Sequence, residues 1–192
     1  QPSYSDIAKT LRPSVVKIEG KESVGTGFLI SQNGLIVTNA HVVGDELELL
    51  VTLFDTNKRK AIVLGKDINE DIALLAIEGY KLKPISFGNL ERPAVGEEVL
   101  AMGYALDLPG NATFTKGMVS AYRPNLFGNL TALQTDTAIN PGNSGGPIVN
   151  EYGDLLAVAV SGLSKDIAEG INFGIKGSSV MNFLDVNSIK LD

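Results

Sequence analysis

Apolar residues along this chain come in short runs, many of them β-branched. They fall at Val15–Ile18, Gly27–Ile30, Leu35–Asn39, Leu47–Phe54, Ala61–Leu64 and Ile72–Ile77, then at Val99–Tyr104, Phe114–Ala121, Leu130–Thr135, Pro147–Val149, Leu155–Val160 and Ile171–Ile175. Turn formers separate them, among them Asn33-Gly34, Pro109-Gly110, Gly128-Asn129 and Gly153-Asp154. Strand-length runs with this punctuation predict an all-β barrel or sandwich, not alternating βα units. Two helical pieces are expected at the ends. Ser5 caps a turn that puts Ile7 and Leu11 on one face and stops at Pro13, and Ser178 caps a second with Val180, Phe183 and Leu184 at helical spacing.

The stretch from Lys81 to Pro93 carries two prolines and Gly88 but no strand signal. It divides the chain into an N-terminal segment with a first β half (1–82), a linker (83–94), and a second β half with the C-terminal helix (95–192). No internal repeat of fixed period and no low-complexity tract is visible. Two N-x-T sequons, at Asn111 and Asn129, read as chance matches in turns.

Composition narrows the chemistry. Of 192 residues, 44% are apolar and 20% charged, ordinary values for a globular chain with a real core. No apolar run exceeds the six residues of Leu155–Val160, far short of a membrane span. A net charge of −6 argues against a nucleic-acid partner, which needs clustered Lys and Arg. With no cysteine and one histidine, disulfides, thiolate chemistry and Cys- or multi-His metal centres are excluded; a hard-cation site of carboxylates stays possible, but no acidic loop of calcium-binding pattern occurs, and no metal or cofactor is expected. The N-terminus has neither an initiator Met nor a charged-then-apolar leader, so the chain is expected to be trimmed.

The most informative segment is Asn140-Pro-Gly-Asn-Ser-Gly-Gly-Pro147. Gly142 and Gly145 permit a tight turn that gathers consecutive N–H groups into one hollow, with Ser144 at its lip. It also matches the G-x-S-x-G elbow of α/β-hydrolases, but that elbow needs its His after the Ser, and the only histidine, His41, comes before. The subtilisin order needs an Asp before the His, and only Asp6 precedes it, in the expected N-terminal turn. The remaining order, His…Asp…Ser, is that of chymotrypsin-type barrels. His41 follows the apolar strand Leu35–Asn39, where a scaffold-held loop opens on a cleft. Asp45, Asp55, Asp67, Asp71, Asp107 and Asp136 lie between His41 and Ser144. Asp71 is tied most firmly to a buried element, the strand Ile72–Ile77, yet Asp67 and Glu70 share its loop and composition does not separate the three. Carboxylate pairs offer another chemistry, but Glu97-Glu98 point to opposite faces when extended, and Glu46/Glu48 read as a solvated strand face.

Together these motifs resemble the protease domain of the HtrA/Deg group of trypsin-like serine proteases. The matching pieces are Arg12-Pro-Ser-Val-Val16, Gly25-Thr-Gly-Phe-Leu-Ile30, Gly34 through Val43 around Thr-Asn-Ala-His41, Asp71-Ile-Ala-Leu-Leu75, Val95-Gly-Glu-Glu-Val99, Gly117-Met-Val-Ser120, Gln134 through Val149 around Ser144, and Gly170-Ile-Asn-Phe-Gly-Ile175. They fall in the family's order. The resemblance implies a double six-stranded β-barrel with short terminal helices and an active site in the crevice between barrels. It selects Asp71 as the acid of a triad with His41 and Ser144. It implies an oxyanion hole from the amides of Gly142 and Ser144, with the N–H of Asn143 nearby. Ile139 would line the specificity pocket, favouring cleavage after small or medium aliphatic residues. The strand through Ala159, Val160 and Ser161 would pair with the substrate backbone, and Gly162 stands where a larger apolar residue is common. The implied partners are unfolded or damaged polypeptides, the implied place is extracytoplasmic, and a homotrimer built through the N-terminal segment, with Tyr4 at its interface, is a further expectation. A catalytically silent, peptide-binding barrel is the alternative. Two departures stand out: only Lys21–Val24 remains of a loop that is often long, and no PDZ domain is expected after Asp192.

Overall fold

The computed structural model describes residues 1–88, 93–126, 130–161 and 171–191. Twelve strands build two closed antiparallel barrels of six. The first holds β1 (Val15–Glu19), β2 (Val24–Leu29), β3 (Leu35–Thr38), β4 (Glu48–Thr52), β5 (Lys58–Asp67) and β6 (Ile72–Ala76). The second holds β7 (Glu98–Gly103), β8 (Thr113–Leu126), β9 (Leu130–Thr135), β10 (Pro147–Val149), β11 (Leu155–Val160) and β12 (Asn172–Lys176). Around each barrel the first, second and third strands are followed by the sixth, fifth and fourth, so the halves share one topology without a visible sequence repeat. The runs predict an all-β barrel or sandwich and the family resemblance a double barrel with short terminal helices; the double barrel is what the chain forms.

The hydrophobic pattern explains where each strand sits. β4 alternates, with Leu49 and Val51 inside the barrel and Glu48 and Leu50 outside. β6 and β11 are apolar at almost every position because both faces are covered. In β6, Ala73 and Leu75 fill the first barrel, while Ile72 and Leu74 join a cluster between the barrels. In β11, Ala157 and Ala159 fill the second barrel, while Leu155, Val158 and Val160 face that same cluster. Ile148 pairs with Ala157 and Val149 with Leu155, so Leu156 is a bulge that shifts the alternation. The inter-barrel cluster takes Phe28 and Val37 from one side, Leu100 and Met102 from the other, and Ile7, Leu11, Val180, Phe183 and Leu184 from the terminal helices. At roughly 1.5–3 kcal/mol per buried large side chain, this shared cluster fixes the crevice between barrels.

The helices differ in detail from the sequence expectation. In α1 (Tyr4–Leu11) the cap is Ser3, whose Oγ accepts from the Asp6 N–H, and Ser5 lies inside the helix. Pro13 does not end the structure, because the chain passes directly into a 3₁₀ turn over Arg12–Ser14, where proline's fixed φ is tolerated. In α3 (Gly177–Val186) Lys176 holds the cap position, so Ser178 lies in the first turn, while Val180, Phe183 and Leu184 are buried. A one-turn helix α2 (Ala40–Val43), without a periodicity signal of its own, carries His41. Tyr4 packs on its own chain: its hydroxyl meets the Glu98 carboxylate, and Lys116 Nζ lies 4.7 Å from its ring centroid. Between the barrels, the Ile85 N–H donates to Leu29 O at 2.8 Å and Ser86 bridges to Asp154.

Candidate active site

β3 and β6 are antiparallel neighbours, with Thr38 opposite Ala73. The end of one therefore lies beside the start of the other, and His41 and Asp71 meet there although 30 residues separate them. Asp71 has φ of +54°, a left-handed conformation that Asp and Asn tolerate better than most residues. Its carbonyl accepts from Asn39 Nδ2 at 3.0 Å, and its Oδ1 accepts from the His41 backbone N–H at 2.9 Å. Its Oδ2 lies 2.6 Å from His41 Nδ1. An ionised Asp71 requires the proton on Nδ1, which leaves Nε2 as an acceptor. Nε2 lies 3.0 Å from Ser144 Oγ.

Ser144 comes from the other barrel, on the loop between β9 and β10. Thr26 of β2 fixes that loop across the crevice. The Thr26 N–H donates to Ser144 O at 2.9 Å, and its Oγ1 donates to Gly142 O at 2.6 Å while accepting from the Tyr104 N–H at 3.0 Å. Thr38 Oγ1 donates in turn to Thr26 O at 2.7 Å. Gly142 and Gly145 have φ of +96° and +89°. A Cβ at Gly145 would lie 2.1 Å from Thr26 O and 2.2 Å from Thr38 Oγ1, so the close approach of the two barrels itself requires glycine there.

The turn orients its amides unequally. The Asn143 N–H donates to Asn140 O at 3.0 Å and the Gly146 N–H to Asn143 O at 2.9 Å, closing the turn. Among the described residues, nothing accepts from the Gly142 and Ser144 N–H groups. Asn143 is therefore not a further donor to the hollow, contrary to expectation, because its N–H is committed to the turn.

Ile139 is 8% exposed and packs in the second barrel's cluster with Ala159. Ala159 donates to Gly146 O at 2.8 Å and accepts from the Gly145 N–H at 2.9 Å, so the nucleophile loop already occupies its backbone. Val160 pairs with Phe173. Of the three strand residues named from sequence, Ser161 alone reaches Ser144 Oγ: its N–H lies at 2.8 Å and its hydroxyl at 2.8 Å. Gly162 lies outside the described residues. The other acids are engaged elsewhere. Asp136 accepts from the Met118 N–H, Asp107 meets Lys17, Asp67 accepts from the Glu70 N–H, Glu46 accepts from the Lys21 N–H and Glu48 pairs with Lys60. Glu70 points toward α3, where burial, reinforced by the Asp67 charge, raises its pKa. Thr26 and Asn39 escape a reading for reactive side chains because their partners are backbone groups. The only sequence signal for them is their place beside Gly25, Gly27 and His41.

The trypsin-like peptidase domain family matches residues 25–158. A probable periplasmic serine endoprotease DegP-like of Chlamydia pneumoniae is 42% identical over 176 residues, covering 88% of this chain and 35% of that protein. Its namesake in Pseudomonas putida (strain GB-1) is 42% identical over 139 residues, 71% of this chain and 29% of that protein. The chain thus spans about a third of the length of these curated relatives. Among solved structures, the HtrA-type protease AlgW with tripeptide superposes with a TM-score of 0.87 at 30% identity, covering 98% of this chain and 65% of that one. The serine endoprotease from Yersinia pestis gives 0.85 at 31%, covering 97% and 66%.

Proposed function

The chain belongs to the trypsin-like peptidase domain family, and from that premise we propose that it is a serine endopeptidase of HtrA/DegP-like type, cutting unfolded polypeptides through a Ser-His-Asp triad. One observation carries this reading: the unbroken series from Asp71 Oδ2 to His41 Nδ1 at 2.6 Å and from His41 Nε2 to Ser144 Oγ at 3.0 Å, spanning both barrels.

The chemistry follows from these atoms. Ser144 Oγ attacks the scissile carbonyl carbon as its proton passes to His41 Nε2, a transfer worth typically 10²–10⁴-fold. Asp71 holds the tautomer and stabilises the imidazolium that forms. The amides of Gly142 and Ser144, without acceptors among the described residues, bind the carbonyl oxygen as it becomes negative; one such donor is worth about 2.7–4 kcal/mol. His41 then gives its proton to the departing amine nitrogen, and water repeats the cycle to free the acyl group. Only Ser161, just past the end of β11, offers the substrate backbone a partner among the three strand residues, because Ala159 serves the nucleophile loop and Val160 pairs with β12. Ile139 supplies an apolar wall that suits small or medium aliphatic side chains. The relatives' name, periplasmic, supports an extracytoplasmic location. A homotrimer through the N-terminal helix belongs to the same reading.

Digestion of casein by the chain and by Ser144→Ala tests it. Cleavage by the first and none by the second is expected, with peptides ending mainly in aliphatic residues. An equally active Ser144→Ala chain overturns the mechanism, and a strong Arg or Lys preference overturns the pocket assignment.

A further inference from the structure

Ser144 Oγ has more partners than a reacting hydroxyl can keep. His41 Nε2 lies at 3.0 Å, the Ser161 N–H at 2.8 Å, Ser161 Oγ at 2.8 Å and Ser161 O at 3.4 Å. A serine hydroxyl has one hydrogen and two lone pairs. If its hydrogen points to His41, the Ser161 N–H and O–H fill both lone pairs, and none is left to attack a carbonyl. If its hydrogen points to Ser161 Oγ, His41 has no proton to receive. Both arrangements are unproductive, and both depend on the Ser161 hydroxyl.

We propose that Ser161 is a positioning residue that caps the nucleophile at rest and releases it when a substrate strand engages the end of β11. This rests on the serine-peptidase reading above and adds to it how that site is held before substrate arrives. Ser161 is suited to the role because it follows directly on β11, whose Ala159 is bound to Gly145 and Gly146 of the nucleophile loop. A substrate N–H donating to the Ser161 carbonyl draws that residue into strand pairing and away from Ser144. Acylation must break at least one Ser161 contact, since the new bond uses an Oγ lone pair. A small electrophile has to break it unaided, whereas an extended peptide contributes its own backbone hydrogen bonds.

The test uses Ser161→Ala and two reactants. A fluorophosphonate forms an Oγ–P bond, expels fluoride and passes the serine proton to His41, with no strand pairing. An extended fluorogenic peptide pairs with the backbone at the end of β11. Removing one neutral hydrogen bond from the nucleophile predicts fluorophosphonate labelling roughly 2- to 10-fold faster than wild type. The gain in kcat/KM on the extended peptide is smaller, and Ser161→Thr, which keeps the hydroxyl, labels at the slow wild-type rate. Labelling of Ser161→Ala that is unchanged or slower overturns the cap. Equal gains on both reactants overturn release by strand pairing. A wild-type chain that neither labels nor cuts the peptide overturns the serine-peptidase reading itself.

Discussion

Thr26 ties the two barrels together at the point where the chemistry is expected, and Thr26→Val isolates its hydroxyl. Valine matches threonine in shape, so the packing of this fully buried side chain survives while two hydrogen bonds vanish. The Gly142 carbonyl loses its donor and the Tyr104 N–H its acceptor. The buried Tyr104 N–H left unpaired costs about 1–3 kcal/mol and the part-buried Gly142 carbonyl less, so stability falls by roughly 1–5 kcal/mol, at about 2–4 °C in Tm per kcal/mol. Freed from Thr26, the Gly142 carbonyl swings together with the Asn143 N–H that shares its peptide plane, breaking the Asn143–Asn140 bond that closes the turn. The Gly142 and Ser144 amides on either side of that plane shift with it, and kcat falls by about 10²–10³. KM changes little, because the amides bind charge that develops only on the way to the transition state. Thr26→Ser keeps the hydroxyl, loses one methyl worth about 0.8 kcal/mol, and keeps kcat within a few-fold. Steady-state kinetics on a peptide substrate, with thermal unfolding of the same samples, separates the effects. A Thr26→Val enzyme with a lowered Tm but wild-type kcat would show that the hydroxyl serves folding alone and does not hold the turn for catalysis.

Asp71→Asn keeps the side-chain shape but lets the wrong imidazole tautomer form, so turnover on the peptide substrate should drop by about 10⁴ with an unchanged melting curve. Gly145→Ala places a methyl about 2 Å from Thr26 O and Thr38 Oγ1 at a positive φ. Calorimetry should find the barrels loosened and the unfolding temperature clearly reduced, and a native-like transition would contradict the packing. Glu70 has its pKa raised by burial and Asp67, so its ionisation opposes folding: stability falls as pH rises from the ordinary carboxylate range to the raised value. Glu70→Gln removes that penalty, so it should melt higher than wild type at pH 7, with the difference closing below about pH 4. A difference independent of pH would argue against the burial account.

The strands were legible because each hydrophobic run reports a face that must leave water. The runs alternate where one face is wet, as in β4, and are continuous where a second barrel covers the other face, as in β6 and β11. The run at Phe114–Ala121 understated β8, which continues to Leu126 through Tyr122, Arg123 and Pro124, where no hydrophobic alternation marks a strand. The helix starts escape the sequence at Ser5 and Ser178 because a cap is defined by φ and ψ: Ser3 and Ser5 look alike in sequence, and Lys176 at the cap of α3 makes no side-chain capping bond that would mark it. In the site, chain order alone narrowed the fold to His…Asp…Ser. Choosing Asp71 over Asp67 and Glu70 took the family resemblance, because the decision lies in the β3–β6 register, which puts Asp71 rather than its loop neighbours next to His41. The Asn143 amide was misassigned because adjacent peptide planes in a tight turn point opposite ways, and spacing does not say which. The Thr26 clamp and the contact of Ser161 with Ser144 depend on backbone atoms brought together across the crevice, and residue type carries no mark of that.

Activation of the Ser144 hydroxyl of one barrel by His41 and Asp71 of the other is open to a chemical probe, peptide mapping after exposure to a fluorophosphonate. A single adduct on Ser144, abolished by His41→Ala, is the predicted result; an adduct on another serine, or one on Ser144 that forms as fast without His41, would contradict it.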